Sequence, residues 1–303
     1  MTIPDSRSSA SSAEARFDVF VLGRAQDGGV PHLGCQKPCC AEARRSGRME
    51  TPACLGIHDR QTDRLVLVEA TPSVESQVAN LHVLSGQEGR TRPLIDAVMI
   101  THAHMGHYTG LMQFGREAAS ARNLPTYVTP QMATFLRDNG PWSQLVSLEQ
   151  LELREIESDG QRFEPIEGLA VEAISVPHRA EFSDTVAFRI HGPARTVLFC
   201  PDCDRWAAHE GLLESLLEGV DVAYLDGTFY DGSELPGRDL AEIPHPAIID
   251  TMDRLQDEAR SNPGSIRFLH LNHSNPALHD REIADGIAAR GFRIAEPGEV
   301  VHL

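Results

Sequence analysis

The sequence predicts a single α/β domain in which two similar halves stack as layers of one sandwich. Three observations carry this. Apolar runs of strand length alternate with stretches of helical spacing. The residues best suited to hold a metal fall one after another at the ends of those strands, where a sheet aims its loops at a common pocket. No linker rich in Pro, Gly or Ser and no repeat at a solenoid period divides the chain.

The 303 residues are 41% hydrophobic and 23% charged, enough for a sizeable core and against global disorder. Lys and Arg total 27 against 44 Asp and Glu, a formal net charge of −17. Such a surface repels phosphate backbones and anionic membranes, which disfavours general nucleic-acid or membrane binding. A local cationic site holding metal still takes an anionic substrate, so a small anionic molecule is the expected partner, with a homodimer also open. Apolar runs such as Leu65–Val68 and Ile266–Leu269 are too short to span a membrane. Met1 to Arg16 is rich in Ser and Ala and lacks the positive start and apolar middle of a signal peptide. It is expected to be a disordered leader, with one domain over residues 17–303 and a cytoplasmic location. The six cysteines cluster as Cys35, Cys39 and Cys40, a lone Cys54, and the pair Cys200 and Cys203. In a cytosolic chain this favours metal binding or free thiols over disulfides.

The elements follow in order. Phe17–Gly23 is a short apolar run ending in Gly, hence a strand, and a loop with Gly28, Gly29, Pro31 and Gly34 comes next. Cys54–His58 and Leu65–Glu69, parted by polar residues, read as a hairpin. Pro72–Leu84 reads as a helix with Pro72 and Ser73 near its start. Ala97–Ile100 is a buried strand running into a histidine cluster, and Tyr108–Arg122 has helical spacing through Leu111, Phe114 and Ala118. In the second half, strands are expected at Leu169–Val176, Thr185–Ile190, Thr196–Cys200, Val220–Leu225 and Ile266–Leu271. Helices are expected at Gly211–Leu217, Pro246–Arg260 and Ala277–Arg290.

The histidine cluster is the strongest chemical signal. His102, His104 and His107 lie within six positions directly after an apolar strand. If the strand continues, His102 and His104 share a side, because side chains alternate with period two. Two imidazoles so placed form half a site for zinc or another divalent metal, and a turn at Gly106 brings His107 alongside. Further ligands are offered at later strand ends by His178, Asp202 and His270. Asp202 is able to bridge two cations through separate carboxylate oxygens.

These residues resemble the metallo-β-lactamase superfamily, and the resemblance covers nearly the whole chain after the leader. It implies a four-layer αββα sandwich with metals along one edge. The superfamily pattern His-x-His-x-Asp-His appears here as HAHMGH. By that resemblance His102, His104 and His178 hold one metal, Asp202 bridges, and His107 and His270 serve a second. Gly106 stands where the superfamily has an Asp, so the second position is weakened, lost, or completed by water or another carboxylate such as Asp204. The phrases AQDGGVPHLGCQKPCC, HYTGLMQFGRE, NGPWSQL, SDTVAFRI, LDGTFYDGSELPGRD and FLHLNHSNP resemble the pyrroloquinoline quinone biosynthesis protein B family and its hydrolase-like relatives. The best-known cofactor-pathway members lack much of the histidine pattern that this chain keeps.

Cys35, Cys39 and Cys40 sit in one loop bounded by Gly and Pro. Thiolates are strong zinc ligands. Cyclic phosphodiesterases of the phosphonate pathway, in the same superfamily, have a similar three-Cys loop closed by a His, and His273 matches that position. An odd separation on a strand sends His270 and His273 to opposite faces, which suits two sites. Cys54 or His32 are alternatives for one of these ligands. Cys200 and Cys203 straddle Asp202 and are read as local packing.

A bound metal generates hydroxide near neutral pH, with Asp202 nearby to hold or accept a proton, so no Ser or Cys nucleophile is required. His245 precedes a helix and is a candidate to protonate a leaving group, oriented by Asp226 at a strand end. That pair resembles the carboxylate–histidine pair of phosphodiesterase members of the superfamily. Asp27 and Glu69 are expected to support the pocket. The leading expectation is a metal-dependent hydrolase of a small phosphodiester, ester or lactone. It would use zinc, one or two ions at the active site and one at the cysteines, with iron or manganese as alternatives. An iron-dependent oxidative step in quinone-cofactor formation and a non-catalytic metal or ligand carrier are the competing classes.

Overall fold

The computed structural model describes residues 15–237 and 243–303. In chain order the elements are β1 (Phe17–Gly23), α1 (Pro38–Ser46), β2 (Cys54–Asp59), β3 (Arg64–Val68), α2 (Val74–Leu84), β4 (Ala97–Met99), α3 (Met105–Tyr108), β5 (Leu124–Val128), α4 (Pro130–Asp138), α5 (Trp142–Ser147) and β6 (Leu151–Glu155). The second half continues with β7 (Asp159–Phe163), β8 (Ala170–Ser175), β9 (Val186–His191), β10 (Thr196–Cys200), α6 (Leu212–Leu217) and β11 (Val222–Asp226). It closes with α7 (Ile248–Arg254), α8 (Gln256–Ser261), β12 (Ile266–Leu269), α9 (Arg281–Ala289), β13 (Arg293–Ile294) and β14 (Val300–His302).

The strands form two sheets ordered β14-β1-β2-β3-β4-β5-β6 and β13-β12-β11-β10-β9-β8-β7. In the first sheet the three pairings from β14 to β3 are antiparallel and those from β3 to β6 parallel. The second repeats that sense, antiparallel from β7 to β10 and parallel from β10 to β13. The halves therefore share a topology, as the alternating pattern suggested.

The alternation of side chains explains the layers. Phe17, Val19 and Val21 point between the sheets and pack with Leu55, Val66, Phe188 and Phe199. Phe20 and Leu22, on the other face of β1, pack under α2 with Val78 and Leu81. Leu198, Ala223 and Phe268 face the helices of the second half, with Met252 and Ile287. Both faces of each sheet are thus covered, which is why the strands read as continuous apolar runs. The result is the αββα sandwich. No helix among the described residues is long and apolar enough to cross a membrane.

Several expected elements differ. Residues 1–14 of the expected leader lie outside the described residues, while Ala15 is buried and Arg16 is bound into the domain. The helix expected at Tyr108–Arg122 is a short 3₁₀ turn, Thr109–Phe114, followed by further turns. Gly110 presses its backbone onto the carbonyls of Ala70 and Thr71, and Gly115 turns extended at ψ 168°, so no long helix fits. The stretch Pro246–Arg260 begins instead at Ile248, because Ala247 bridges to Phe229, and it breaks at Leu255 into α7 and α8. Near the C-terminus, Asn275 caps a 3₁₀ turn and Asp280 caps α9, dividing the helix expected at Ala277–Arg290.

The start of the domain is held by Asp59, which accepts bonds from Arg16 Nε (3.1 Å) and Nη2 (2.8 Å), Gln61 N (3.0 Å) and Thr62 Oγ1 (2.7 Å). Burial alone would raise the carboxyl, but these partners hold it at about 2. A folded value below the unfolded one gives stability that is complete above about pH 5 and fades as pH falls towards 2. Asp59→Ala is expected to cost about 2 kcal/mol at pH 7 and much less at pH 2.5, read by urea denaturation at both values. An equal loss at both would show that the charge is not the cause.

Candidate metal centre

The candidate residues converge at the C-terminal ends of β4, β8, β10 and β12. His104 has extended dihedrals (φ −91°, ψ 144°) although the chain bends at Ala103 and His104, and His102 and His104 both reach Asp202. His178 arrives from the end of β8, Asp202 from the end of β10 and His270 from the end of β12. His102 Nε2 lies 3.4 Å from Asp202 Oδ2, His178 Nε2 lies 3.2 Å from it, and His104 Nδ1 lies 3.8 Å from it. A tetrahedral zinc with ligands at roughly 2.1 Å has donor–donor edges near 3.4 Å, so this group fits one ion.

A second group lies on the other side of Asp202. His107 Nε2 and His270 Nε2 are each 3.4 Å from Asp27 Oδ1, and each is 3.9 Å from Asp202 Oδ2. His102 Nε2, His107 Nε2, His270 Nε2, Asp27 Oδ1 and Asp202 Oδ1 are all buried without a hydrogen-bond partner among the described residues. Leaving such an atom unsatisfied costs about 1–3 kcal/mol, so five in one place mark a position suited to a cation. The donor set, imidazole and carboxylate, suits zinc, manganese or iron.

The other nitrogen of each imidazole is held. Thr101 Oγ1 donates to Glu69 Oε1 (2.5 Å) and therefore accepts from His102 Nδ1 (2.8 Å). Thr228 Oγ1 donates to Asp226 Oδ1 (2.7 Å) and accepts from His270 Nδ1 (3.0 Å). Glu69 Oε1 accepts from His107 Nδ1 (3.1 Å), Asp204 Oδ1 lies 3.3 Å from His178 Nδ1, and Glu181 Oε2 lies 3.1 Å from His104 Nε2. With Nδ1 so held, His102, His107 and His270 each turn Nε2 towards the centre of the site, the nitrogen a metal would take in place of a proton. Glu69 and His270 reach their places in left-handed backbone, at φ 77° and 59°, a strained choice for residues with side chains.

Charge follows the same geometry. Burial would raise Asp202, yet the surrounding imidazoles, His270 foremost, hold it well below the usual carboxylate range. Asp27 is likewise held low against its burial by His107 and His270. Burial and the neighbouring His107 keep His102 neutral. Asp226 is fully buried and its Oδ2 lies 2.8 Å from His245 Nδ1, which is also 3.2 Å from Asp202 Oδ1. Burial would lower His245, but the Asp226 carboxylate outweighs it and the imidazole rises to about 9.

The sequence-derived residues His102, His104, His107, His178, Asp202, His270, Asp226 and His245 are all brought together. Two placements differ from the expectation. Asp204, named as a carboxylate for the second position, lies against His178, 3.3 Å from its Nδ1. Asp27, expected only to support the pocket, lies 3.4 Å from both His107 and His270 Nε2. The signal for it is three-dimensional, since a Cβ on residue 106 would fall within 2.6 Å of both Cα and Cγ of Asp27.

At the cysteine loop, Sγ atoms of Cys35, Cys39 and Cys40 lie within 4.8 Å of one another. Gly34 (φ 72°) turns the chain and Pro38 opens α1, whose first turn carries Cys39 and Cys40. Burial and the facing thiols push Cys40 up to about 11, so a thiolate there needs a cation beside it. The group of donor atoms within 4.8 Å of one another here is the three thiols without His273, whose ring stacks on His32 at 4.5 Å, and His32 N donates to Cys40 Sγ at 3.2 Å. Cys54 lies in the helix-side core of the first sheet, away from this group, and Cys200 and Cys203 pack in the core of the second.

The profile of a β-lactamase superfamily domain matches residues 64–270. The coenzyme PQQ synthesis protein B of Methylorubrum extorquens is 24% identical over 307 residues, covering 94% of this chain and 99% of that protein. The crystal structure of Zn²⁺-bound PqqB from Methylobacterium extorquens superposes with a TM-score of 0.77 at 22% identity, covering 94% of this chain and all (100%) of that one. A diphosphatase from the PhnP family superposes with a TM-score of 0.66 at 17% identity, covering 95% of this chain and 97% of that one.

Proposed function

This chain belongs to the β-lactamase superfamily, and from that premise we propose that it is a metal-dependent hydrolase of a small, anionic phosphodiester, ester or lactone. The observation that carries this reading is the convergence of buried, unpaired donor atoms on Asp202 beside a histidine held by a second carboxylate. His102, His104, His178 and Asp202 would hold one divalent ion, and His107, His270 and Asp202 would contribute to a second. Such ions supply Lewis acidity, making water a nucleophile near neutral pH and polarising the bond under attack. They also supply the local positive field that a chain of net charge −17 otherwise lacks.

The protein's own groups orient and move protons. Asp226 Oδ2 accepts from His245 Nδ1, fixing the ring and favouring its protonated form. The proton on Nε2 is then the one to hand to a leaving oxygen. Asp202 Oδ1, 3.2 Å from the same ring, places that acid at the metal group rather than at a distance from it. Thr228 ties the two parts together, touching Asp226, His245 and His270 at once.

A second reading is supported by the likeness to PQQ synthesis protein B over 94% of the chain. It is an oxidative step in quinone-cofactor formation, and it requires iron because zinc does not change oxidation state. The Asp226–His245 pair favours hydrolysis, since expelling an oxygen calls for a proton donor at the departing atom. His245→Ala is expected to slow hydrolysis of alkyl-leaving-group substrates by about 10²-fold or more, and that of nitrophenyl esters by about tenfold or less. Equal losses across a leaving-group series, at unchanged metal content, would rule out the acid role.

A further inference from the structure

We propose that Asp27 supplies the terminal carboxylate of the second divalent-metal position, with His107, His270 and Asp202, and that Gly106 is what makes room for it. This deepens the metal-dependent reading and rests on it. The side chain is 42% exposed overall, yet Oδ1 is buried, unpaired and equidistant, at 3.4 Å, from two unpaired imidazole nitrogens. A carboxylate oxygen facing two Nε2 atoms, both rings being fixed through Nδ1 by Glu69 and Thr228, is an arrangement a cation completes by displacing their protons.

The placement of Asp27 is built in. Ala25 bridges to both Pro52 and Leu271, Gln26 N donates to Leu271 O at 2.8 Å, and Leu271 N donates to Arg24 O at 2.9 Å. Asn272 Nδ2 donates to Gln26 Oε1 at 3.0 Å. The segment carrying Asp27 is therefore zipped to the residues that follow His270, and one ligand's backbone positions the other. Gly29 turns the chain away immediately after, at φ 64°. Residue 106 lies directly beneath the Asp27 side chain, where any Cβ would collide with it. Because that Cβ would meet the Asp27 Cα as well as its carboxylate, residue 106 is confined to Gly and the carboxylate at this place comes from residue 27.

The test is metal content and affinity of the purified full-length protein, by elemental analysis and by Zn²⁺ and Mn²⁺ titration. Asp27→Ala and Asp27→Asn should each bind one equivalent fewer, or bind it at least about tenfold more weakly, with the first equivalent unchanged. Asp27→Glu, which keeps a carboxylate, should retain more of that equivalent than Asp27→Asn, while Gly106→Ala, which presses on Asp27, should weaken it. The near-isosteric Asp27→Asn also guards against a misfolded single variant. Unchanged stoichiometry and affinity in Asp27→Ala would overturn the proposal and leave the hydrolase reading standing. Absence of any equivalent sensitive to His102→Ala in the wild-type background would overturn both.

Discussion

Asp202→Ala is expected to abolish turnover, by on the order of a thousandfold or more, about 4 kcal/mol of barrier, while the protein stays folded. Asp202 Oδ2 is the atom shared by the two histidine groups, 3.2 Å from His178 Nε2 on one side and 3.9 Å from His107 and His270 Nε2 on the other. Removing it takes away one donor from each group and leaves the imidazoles with no intervening negative charge. It also removes the oxygen that sits 3.2 Å from His245 Nδ1. His102→Ala should be milder in metal content, because it touches only the first group. Elemental analysis and turnover measured on the same preparations separate the two. If Asp202→Ala retained its full metal complement, Asp202 would not be the shared ligand.

Cys35→Ser should act on stability rather than chemistry. Three thiols whose Sγ atoms fall within 4.8 Å repel as thiolates unless a cation joins them, and a cation bound only by the folded chain stabilises it. A site filled at about a hundred times its dissociation constant contributes about 3 kcal/mol, or roughly 4–5 °C in melting temperature for a chain of this size. Cys35→Ser should lose that stability and one metal equivalent, with the active-site equivalents and the turnover of the folded fraction kept. A melting temperature unchanged from wild type, measured with metal present, would mean that the thiols hold nothing. Loss of all metal from a folded variant would mean that the two groups are not separate.

Much of this arrangement is legible in the sequence, for physical reasons that also mark where reading stops. The β2–β3 hairpin and strands β1, β4, β10 and β11 announce themselves because both their faces are buried. Strands β6 and β7 are polar sheet edges with half-exposed patterns, so no apolar run betrays them. The stretch after His107 has helical spacing, but Gly110 packs on a neighbouring loop and tertiary contact overrides the pattern. Metal ligands at strand ends are visible because a strand end is a local feature. Asp27 is not, because its role follows from Ala25 pairing with Leu271 across most of the chain. Read along the sequence, Gly106 is the loss of a carboxylate. In the fold it is room for another. His273, which the resemblance suggested for the cysteine site, stacks on His32 at 4.5 Å, a contact between loops far apart in sequence.

The most direct test of the central claim is hydrolysis of an activated phosphodiester or lactone by the purified protein, stripped by chelation and then reloaded with Zn²⁺ or Mn²⁺ in the absence of dioxygen. The account predicts that stripping abolishes turnover and that Zn²⁺, which cannot change oxidation state, restores it anaerobically. Turnover that survives complete stripping, or that returns only with iron and dioxygen, would contradict it.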